Sequence, residues 1–225
     1  MNSNATKTEK SGSAPRTRYH HGRLKEAMVE ATVALIQEHG PEHVTVREAA
    51  RRAGVSSGAP FRHFATRASL MTAAAEEAMR RFRIEIDAAL ADAAGEDPLV
   101  RFSALALAYL RWVVRNPTLF GILGDRRQLE LDSAPGLRRD LADAHALTVD
   151  LLTQAADQGL LRSNDVFNTA LTARTMAYGL GRMFVDRQLS EWGVEDSEAE
   201  RTMAAAMHHY LLAIAADPDR HAFRV

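Results

Sequence analysis

The 225-residue sequence has no cysteine, which excludes a disulfide framework, a thiolate nucleophile and any cysteine metal site, and fits a reducing, cytoplasmic setting. No run of about 18 apolar residues occurs, so no membrane span is expected. The first 25 residues are polar and lack the apolar core of a secretory signal. Also missing are a nucleophile elbow, a glycine-rich phosphate loop and paired metal-ligand spacing. His20 and His21 are adjacent without a third ligand, and His208 and His209 fall on different faces of one helix. Catalytic residues, cofactors and bound metal are therefore not expected.

What is present is ordinary globular material, 46% hydrophobic and 25% charged, with its charge unevenly placed. Residues 1–70 carry 11 Lys and Arg against 6 Asp and Glu, a net of +5; residues 71–225 carry 17 against 23, a net of −6. A basic end on an acidic remainder suits a domain that meets phosphate, beside a body that must not.

The basic end holds the most informative stretch, TVREAARRAGVSSGAPFRHF, from Thr45 to Phe64. Thr45 followed by Glu48 is a capping-box pattern that starts a helix. Val46, Ala49, Ala50 and Ala53 form its narrow, small-residue face, with Arg47, Arg51 and Arg52 pointing elsewhere. Gly54 ends it in the left-handed conformation, and Val55 is a buried pivot. Ser56 or Ser57 can cap a second short helix; with Ser57 as cap, Pro60 falls in the first turn, where its missing amide costs no helical bond. Ser57, Gly58, Ala59, Arg62 and His63 are then small, polar or basic groups on a projecting helix, which is what a major groove admits. Two helices around a glycine turn form a helix-turn-helix, with an ordinary helical hairpin as the alternative.

Thr45, Glu48, Ala49, Ala50, Ala53, Gly54, Val55, Ser56, Gly58, Phe61, His63 and Phe64, followed by Ser69 and Leu70, resemble the signature of TetR-family transcriptional regulators over residues 23 to about 72. The resemblance implies an all-α fold of about nine helices: an N-terminal three-helix DNA-binding domain and a larger helical domain for ligand binding and dimerisation. It places DNA contacts at Thr45, Arg47, Ser56, Ser57, Gly58, Ala59, Phe61, Arg62, His63 and Arg67. Family members most often have Tyr where this chain has Phe61, so the phosphate contact of that hydroxyl is lost or falls to Arg62, Thr66 or Arg67.

Four segments follow from the patterning. Residues 1–21, polar and with Lys7, Lys10, Arg16 and Arg18, read as a disordered basic arm able to lie along a minor groove. Residues 22–66 are the DNA-binding domain. Its first helix runs from Arg23 to His39 and stops at Gly40–Pro41; Leu35, Ile36, Val44, Val46, Val55, Phe61 and Phe64 are its expected core. Residues 67–216 are the helical effector and dimerisation domain, and residues 217–225 a tail. A helix capped near Thr66 and running to about Ala94, roughly 40 Å at 1.5 Å per residue, is shared by both domains; the resemblance makes its tilt the element linked to ligand binding.

Beyond Gly95, Asp97 and Pro98 restart a helix as cap and first residue, and Pro117 interrupts it after Asn116. Residues 125–135 read as a polar loop, after which Pro135 opens a helix, Asp165 caps another, and Ser197 with Glu200 forms a second capping-box pattern. Phe102, Leu105, Tyr109, Trp112, Phe120 and Leu123 form an aromatic and aliphatic cluster where the resemblance places an effector pocket, with Met176 and Met183 as further candidate contacts. Gly179 and Gly181 leave room for close helix approach. Arg174, Tyr178 and Gly179 stand at the positions of a C-terminal motif that one subgroup of the family marks with Trp, His and Gly. The last two long helices, residues 166–188 and 198–215, are by resemblance the dimer interface, with Leu171, Leu180, Phe184, Met203, Met207 and Leu211.

The function these readings imply is a homodimeric DNA-binding regulator, a repressor released from a palindromic double-stranded operator by a largely apolar small molecule, with no membrane partner. The competing readings are a DNA-binding regulator whose second domain only dimerises and, more remotely, a helical enzyme.

Overall fold

The computed structural model describes residues 17–56, 58 and 60–220. Among the described residues there are eight α-helices and no strand; one isolated bridge pairs Leu161 with Ala215. The fold is all-α as expected, with one helix fewer than the nine anticipated. The difference lies in the second helix of the helix-turn-helix, whose described part is the single 3-10 turn Pro60–Arg62. Residues 57 and 59 of that segment lie outside the described residues, and within the turn the Pro60 carbonyl accepts from the His63 and Phe64 amides at 2.8 Å.

Helix α1 (Thr17–His39) begins six residues before the expected Arg23. Residues 17–21 of the anticipated arm are therefore helical, and residues 1–16 lie outside the described residues. Gly40, at φ 87°, stops it. Helix α2 (Val46–Arg52) is capped by Thr45, whose hydroxyl accepts from the Glu48 amide at 3.1 Å. The reciprocal half of that capping box does not form, because the Glu48 carboxylate takes the Arg51 guanidinium instead; a charge-assisted pair outcompetes a neutral amide. Gly54, at φ 67°, lets the Val55 amide reach back to the Ala50 carbonyl at 3.1 Å, a Schellman closure.

A complete capping box appears at the next helix. Thr66 Oγ1 accepts from the Ser69 amide at 2.9 Å and Ser69 Oγ accepts from the Thr66 amide at 3.2 Å. Helix α3 (Arg67–Asp92) is 26 residues, about 39 Å. Its first half buries Leu70, Met71, Ala74 and Ala78 against α1 and α5, and its second half turns Phe82 and Ile86 towards the larger body. Met28, Val29, Leu35, Val44, Val46, Ala49, Ala50 and Phe64 complete the small core of the N-terminal domain. Phe61 does not join that core: it is 46% exposed.

Helix α4 (Pro98–Arg115) is the axis of the larger body. Asp97 caps it by accepting from the Leu99 and Val100 amides, with Pro98 at the first position as expected. Its three arginines, Arg101, Arg111 and Arg115, share one side, and its broad apolar remainder must be covered by neighbours: α3, α5 (Pro117–Gly124), α6 (Pro135–Asp157), α7 (Val166–Val185) and α8 (Ala199–Ile214) all pack on it. The loop from 125 to 135 contains two 3-10 turns, Arg126–Gln128 and Leu131–Ser133. Gly181 admits close approach of α7, since a Cβ there would lie 3.1 Å from Phe120 and 3.3 Å from Val113; Gly179 faces open space and plays no such role.

The Ser197–Glu200 capping box does not form. A 3-10 turn, Asp196–Glu198, runs straight into α8 with Glu198 already in helical geometry, so no extended cap residue precedes the helix. Helix α8 buries Met203, Met207 and Leu211 completely. Its Tyr210 hydroxyl donates to the Thr169 carbonyl at 2.8 Å and holds it to α7. Its end is fastened where the Arg162 amide donates to the Ile214 carbonyl and the Ala216 amide to the Leu160 carbonyl, at 2.9 and 2.8 Å.

Candidate functional site

The first site is an exposed polar face on the N-terminal domain. Helix α2 and the turn Pro60–Arg62 pack on each other, and Thr45, Arg47, Ser56, Gly58, Phe61, Arg62 and His63 are all exposed. Ser57 and Ala59 lie outside the described residues. Two of the arginines on α2 are committed within the domain: Arg51 pairs with Glu48, and Arg52 with Glu38 at 2.7 Å. These hydrogen bonds hold both carboxylates below their ordinary range. Among the described residues neither Arg47 nor Arg62 has a carboxylate partner, and they are the cations this face can offer to phosphate.

Arg67, expected at the phosphate backbone, is partly buried here, and its guanidinium donates to the carbonyls of Val44 at 3.1 Å and Pro41 at 2.7 Å and to Gln128 Oε1 at 2.6 Å. The two carbonyls sit beside the turn that precedes α2, and as backbone acceptors they draw the guanidinium inward. Arg67 joins the DNA-binding domain to the loop of the larger body.

The second site is a cavity in that body. Its wider part has a volume of about 490 Å³ and is lined by Phe82 and Ile86 of α3, Phe102, Leu105 and Tyr109 of α4, Leu141 and Leu147 of α6, and Ala173, Arg174 and Ala177 of α7. A narrower part of about 350 Å³ shares Phe82, Tyr109, Arg126, Leu141 and Arg174 and adds Trp112, Phe120, Leu123, Thr175 and Tyr178. Six expected ligand residues, Phe102, Leu105, Tyr109, Trp112, Phe120 and Leu123, are thus brought together. Met176 and Met183 are not: they line neither part and pack against the core, because a 100° step per residue turns them away from the wall that Ala173, Arg174 and Ala177 provide.

The aromatic wall is continuous. Phe82 meets Trp112 at 5.2 Å and Tyr109 at 5.7 Å between ring centres, Tyr109 meets Phe120 at 6.2 Å, and Phe120 meets Tyr178 at 5.6 Å. The Arg174 guanidinium lies over the Tyr109 and Tyr178 rings at 5.4 and 5.7 Å. Burial raises the Tyr109 hydroxyl above the usual tyrosine range, against a smaller opposing pull from Arg174. Burial, and then the Arg174 charge, lower Arg126. The expected set did not contain Phe82, Arg126 or Arg174. Phe82 looked like one more apolar position on a long helix and Arg126 like a residue of a polar loop; only the subgroup motif drew attention to Arg174.

Two regions expected at the dimer interface separate in the structure. Leu171 is 52% exposed on α7, one turn after Phe167 at 73%, while Leu180 and Phe184 are half-buried. Met203, Met207 and Leu211 are inside the protomer and cannot reach a partner, because the apolar stripe of α8 packs on α4. Among the described residues no cluster of His, Cys, Asp and Glu could hold a metal ion, and no helix is long and apolar enough to cross a membrane.

A helix-turn-helix face attached by one long helix to a larger helical body points to a DNA-binding regulator, and comparison with known proteins fixes the family. The profile described as bacterial regulatory proteins, tetR family, matches residues 28–74, and that described as tetracyclin repressor-like, C-terminal domain, matches residues 102–219. The chain belongs to the TetR family and is a DNA-binding transcription regulator rather than an enzyme. Comparison with curated proteins finds no match. Among solved structures, a protein of unknown function from Rhodococcus sp. RHA1 is 25% identical, with a TM-score of 0.68 over 89% of this chain and 100% of that one. A tetR-family regulatory protein, also from Rhodococcus RHA1, is 19% identical, with a TM-score of 0.70 over 86% and 98%. The ketosteroid transcriptional regulator KstR2 of Mycobacterium tuberculosis is 20% identical, with a TM-score of 0.65 over 86% and 96%, a likeness of fold.

Proposed function

We propose that the protein is a homodimeric cytoplasmic repressor that holds a palindromic operator and releases it when a small molecule fills the cavity. The observation that carries this reading is the loop between α5 and α6. Arg126 lines both parts of the cavity; two residues on, Gln128 accepts from Arg67, and Glu130 accepts from Thr66 Oγ1 at 2.6 Å while its amide donates to Thr72 Oγ1 at 2.8 Å. One short loop therefore touches both the ligand's site and the start of α3, where the DNA-binding domain is attached. Phe82 and Ile86 couple the same helix to the cavity directly.

Release requires that the ligand bind more tightly to the arrangement that does not fit DNA, since equal affinity shifts nothing. In a dimer the two reading turns enter successive major grooves about 34 Å apart, and a small tilt of α3 alters that spacing. Phe167 and Leu171 on α7, with the outward face of α8 at Ala205, His209 and Ala213, supply the two-fold contact. The cavity favours this reading over one in which the larger domain only dimerises.

The test is a fluorescence-anisotropy titration of the full-length protein against the DNA flanking its own gene, at two salt concentrations, with unrelated DNA as control. Tight, selective binding of one dimer per site is expected. Weak binding to both DNAs with the same steep salt dependence overturns the repressor reading.

A further inference from the structure

Resting on the reading that the cavity receives an effector, we propose that this effector is an amphipathic monocarboxylate, its carboxylate held between Arg126 and Arg174 and its apolar body lying along the aromatic wall.

The narrower part of the cavity has two charged lining residues, and both are arginines. Among the described residues neither has a carboxylate partner, and of the arginines that lack one they are the two that line this part of the cavity. Each raises the electrostatic cost of the other, and an anion between them relieves both. The Arg174 guanidinium lies over Tyr109 and Tyr178, beside the cavity, and its planar fork of donors matches the two oxygens of a carboxylate.

The hydrogen-bonding inventory points the same way. The indole N–H of Trp112, a residue only 2% exposed, is buried without a hydrogen-bond partner, and the buried Tyr109 hydroxyl has none in good geometry. Trp112 can only donate, as can both arginines. The missing groups are acceptors, which a carboxylate supplies and a hydrocarbon does not. The wider part, which shares Arg126 and Arg174, adds Asp87, Asp140, Asp143 and His145 away from them, with Asp140 paired to Arg83. A second negative charge at that end would be repelled, so the charge belongs at the arginine end and the rest of the molecule is neutral and apolar.

The test is calorimetric titration of the full-length protein, without DNA, using dodecanoate and 4-phenylbutanoate. Each is set against its primary alcohol, and dodecyl phosphate is run alongside. The acids should bind at least about tenfold more tightly than the alcohols, and Arg126→Met and Arg174→Met should each cost the acids about tenfold while leaving the alcohols unchanged. Thermal melts and light scattering confirm that both variants fold and dimerise as the parent does. The proposal is overturned if the alcohols match the acids, if neither acid binds, or if the variants leave acid affinity intact. It is equally overturned if Arg174→Met splits the dimer without touching acid affinity, which would assign that cation to the interface. Tighter binding of dodecyl phosphate than of dodecanoate would replace the carboxylate with a phosphate. Because operator DNA is absent, an acid that binds here but does not displace the operator sinks the release reading and leaves this one standing.

Discussion

The N-terminal domain and the larger body use their arginines in contrasting ways, and the contrast shows where each expects an anion. In the small domain Arg51, Arg52 and Arg67 are locked into internal bonds, which leaves Arg47 and Arg62 on the exposed face. In the body Arg80, Arg81, Arg83, Arg115, Arg138, Arg182 and Arg201 make surface pairs worth little to stability, while Arg126 and Arg174, which have no carboxylate partner among the described residues, both line the cavity. An unmatched cation on a convex face suits a polyanion met from outside; an unmatched pair beside an aromatic wall suits a small anion. The same residue type thus marks two sites of different shape.

The comparison can be broken most severely in the body. Met203→Ala should lower stability by about 2–5 kcal/mol, by removing a fully buried side chain, and leave the dimer intact, whereas Leu171→Arg should dissociate the dimer and leave the protomer folded. Denaturant melts and light scattering read both; a dimer lost with Met203→Ala would return α8's apolar stripe to the interface. Next comes the junction. Arg67→Ala should cost about 1–3 kcal/mol, since it leaves the Pro41 and Val44 carbonyls without their guanidinium donor, and Arg67→Lys should restore little because a point charge cannot fork to both. If Arg67→Ala instead keeps full stability and loses DNA affinity, the side chain is a phosphate contact after all.

Smaller effects sharpen the contrast. Arg62→Ala should weaken binding to all DNA sequences alike, lower the salt slope by about one, and leave the melting temperature unchanged; an altered operator preference would make Arg62 a base reader. Tyr210→Phe should cost about 1 kcal/mol by deleting the bond to Thr169, as measured by urea unfolding. Burial raises the Tyr210 hydroxyl to about 12, so its contribution is present below pH 10 and lost as pH rises from 10 towards 12. The faintest signal is at Glu77, lowered to about 2 by the hydrogen bond from Arg80 and, after burial's opposing effect, that from Arg81. Its stabilisation is present above pH 4.5 and fades as pH falls towards 2, so the stability difference between the parent and Glu77→Gln should vanish over that window.

Much of this architecture was legible in local chemistry. Gly40, Gly54, Asp97 with Pro98, and Asp165 each act within a few residues, and each ends or starts a helix where the residue type requires it. Local rules failed where a competing partner stood close by: Glu48 chose Arg51 over its own cap, and the Ser197 pattern lost to a 3-10 turn that enters α8 directly. The cavity was half legible. Its α4 residues cluster in sequence, but Phe82, Arg126 and Arg174 come from three separated segments and meet only after the helices pack.

The sequence by itself determined the helices, the glycine turn of the reading motif and the family, because capping, periodicity and backbone freedom act over one or two turns of chain. Tertiary structure alone decided which side of α8 is core, that Arg67 faces inward, and that two arginines 48 positions apart share one cavity. Those outcomes depend on which side chain reaches a vacant donor, acceptor or apolar face first, and that competition is settled between elements distant in sequence.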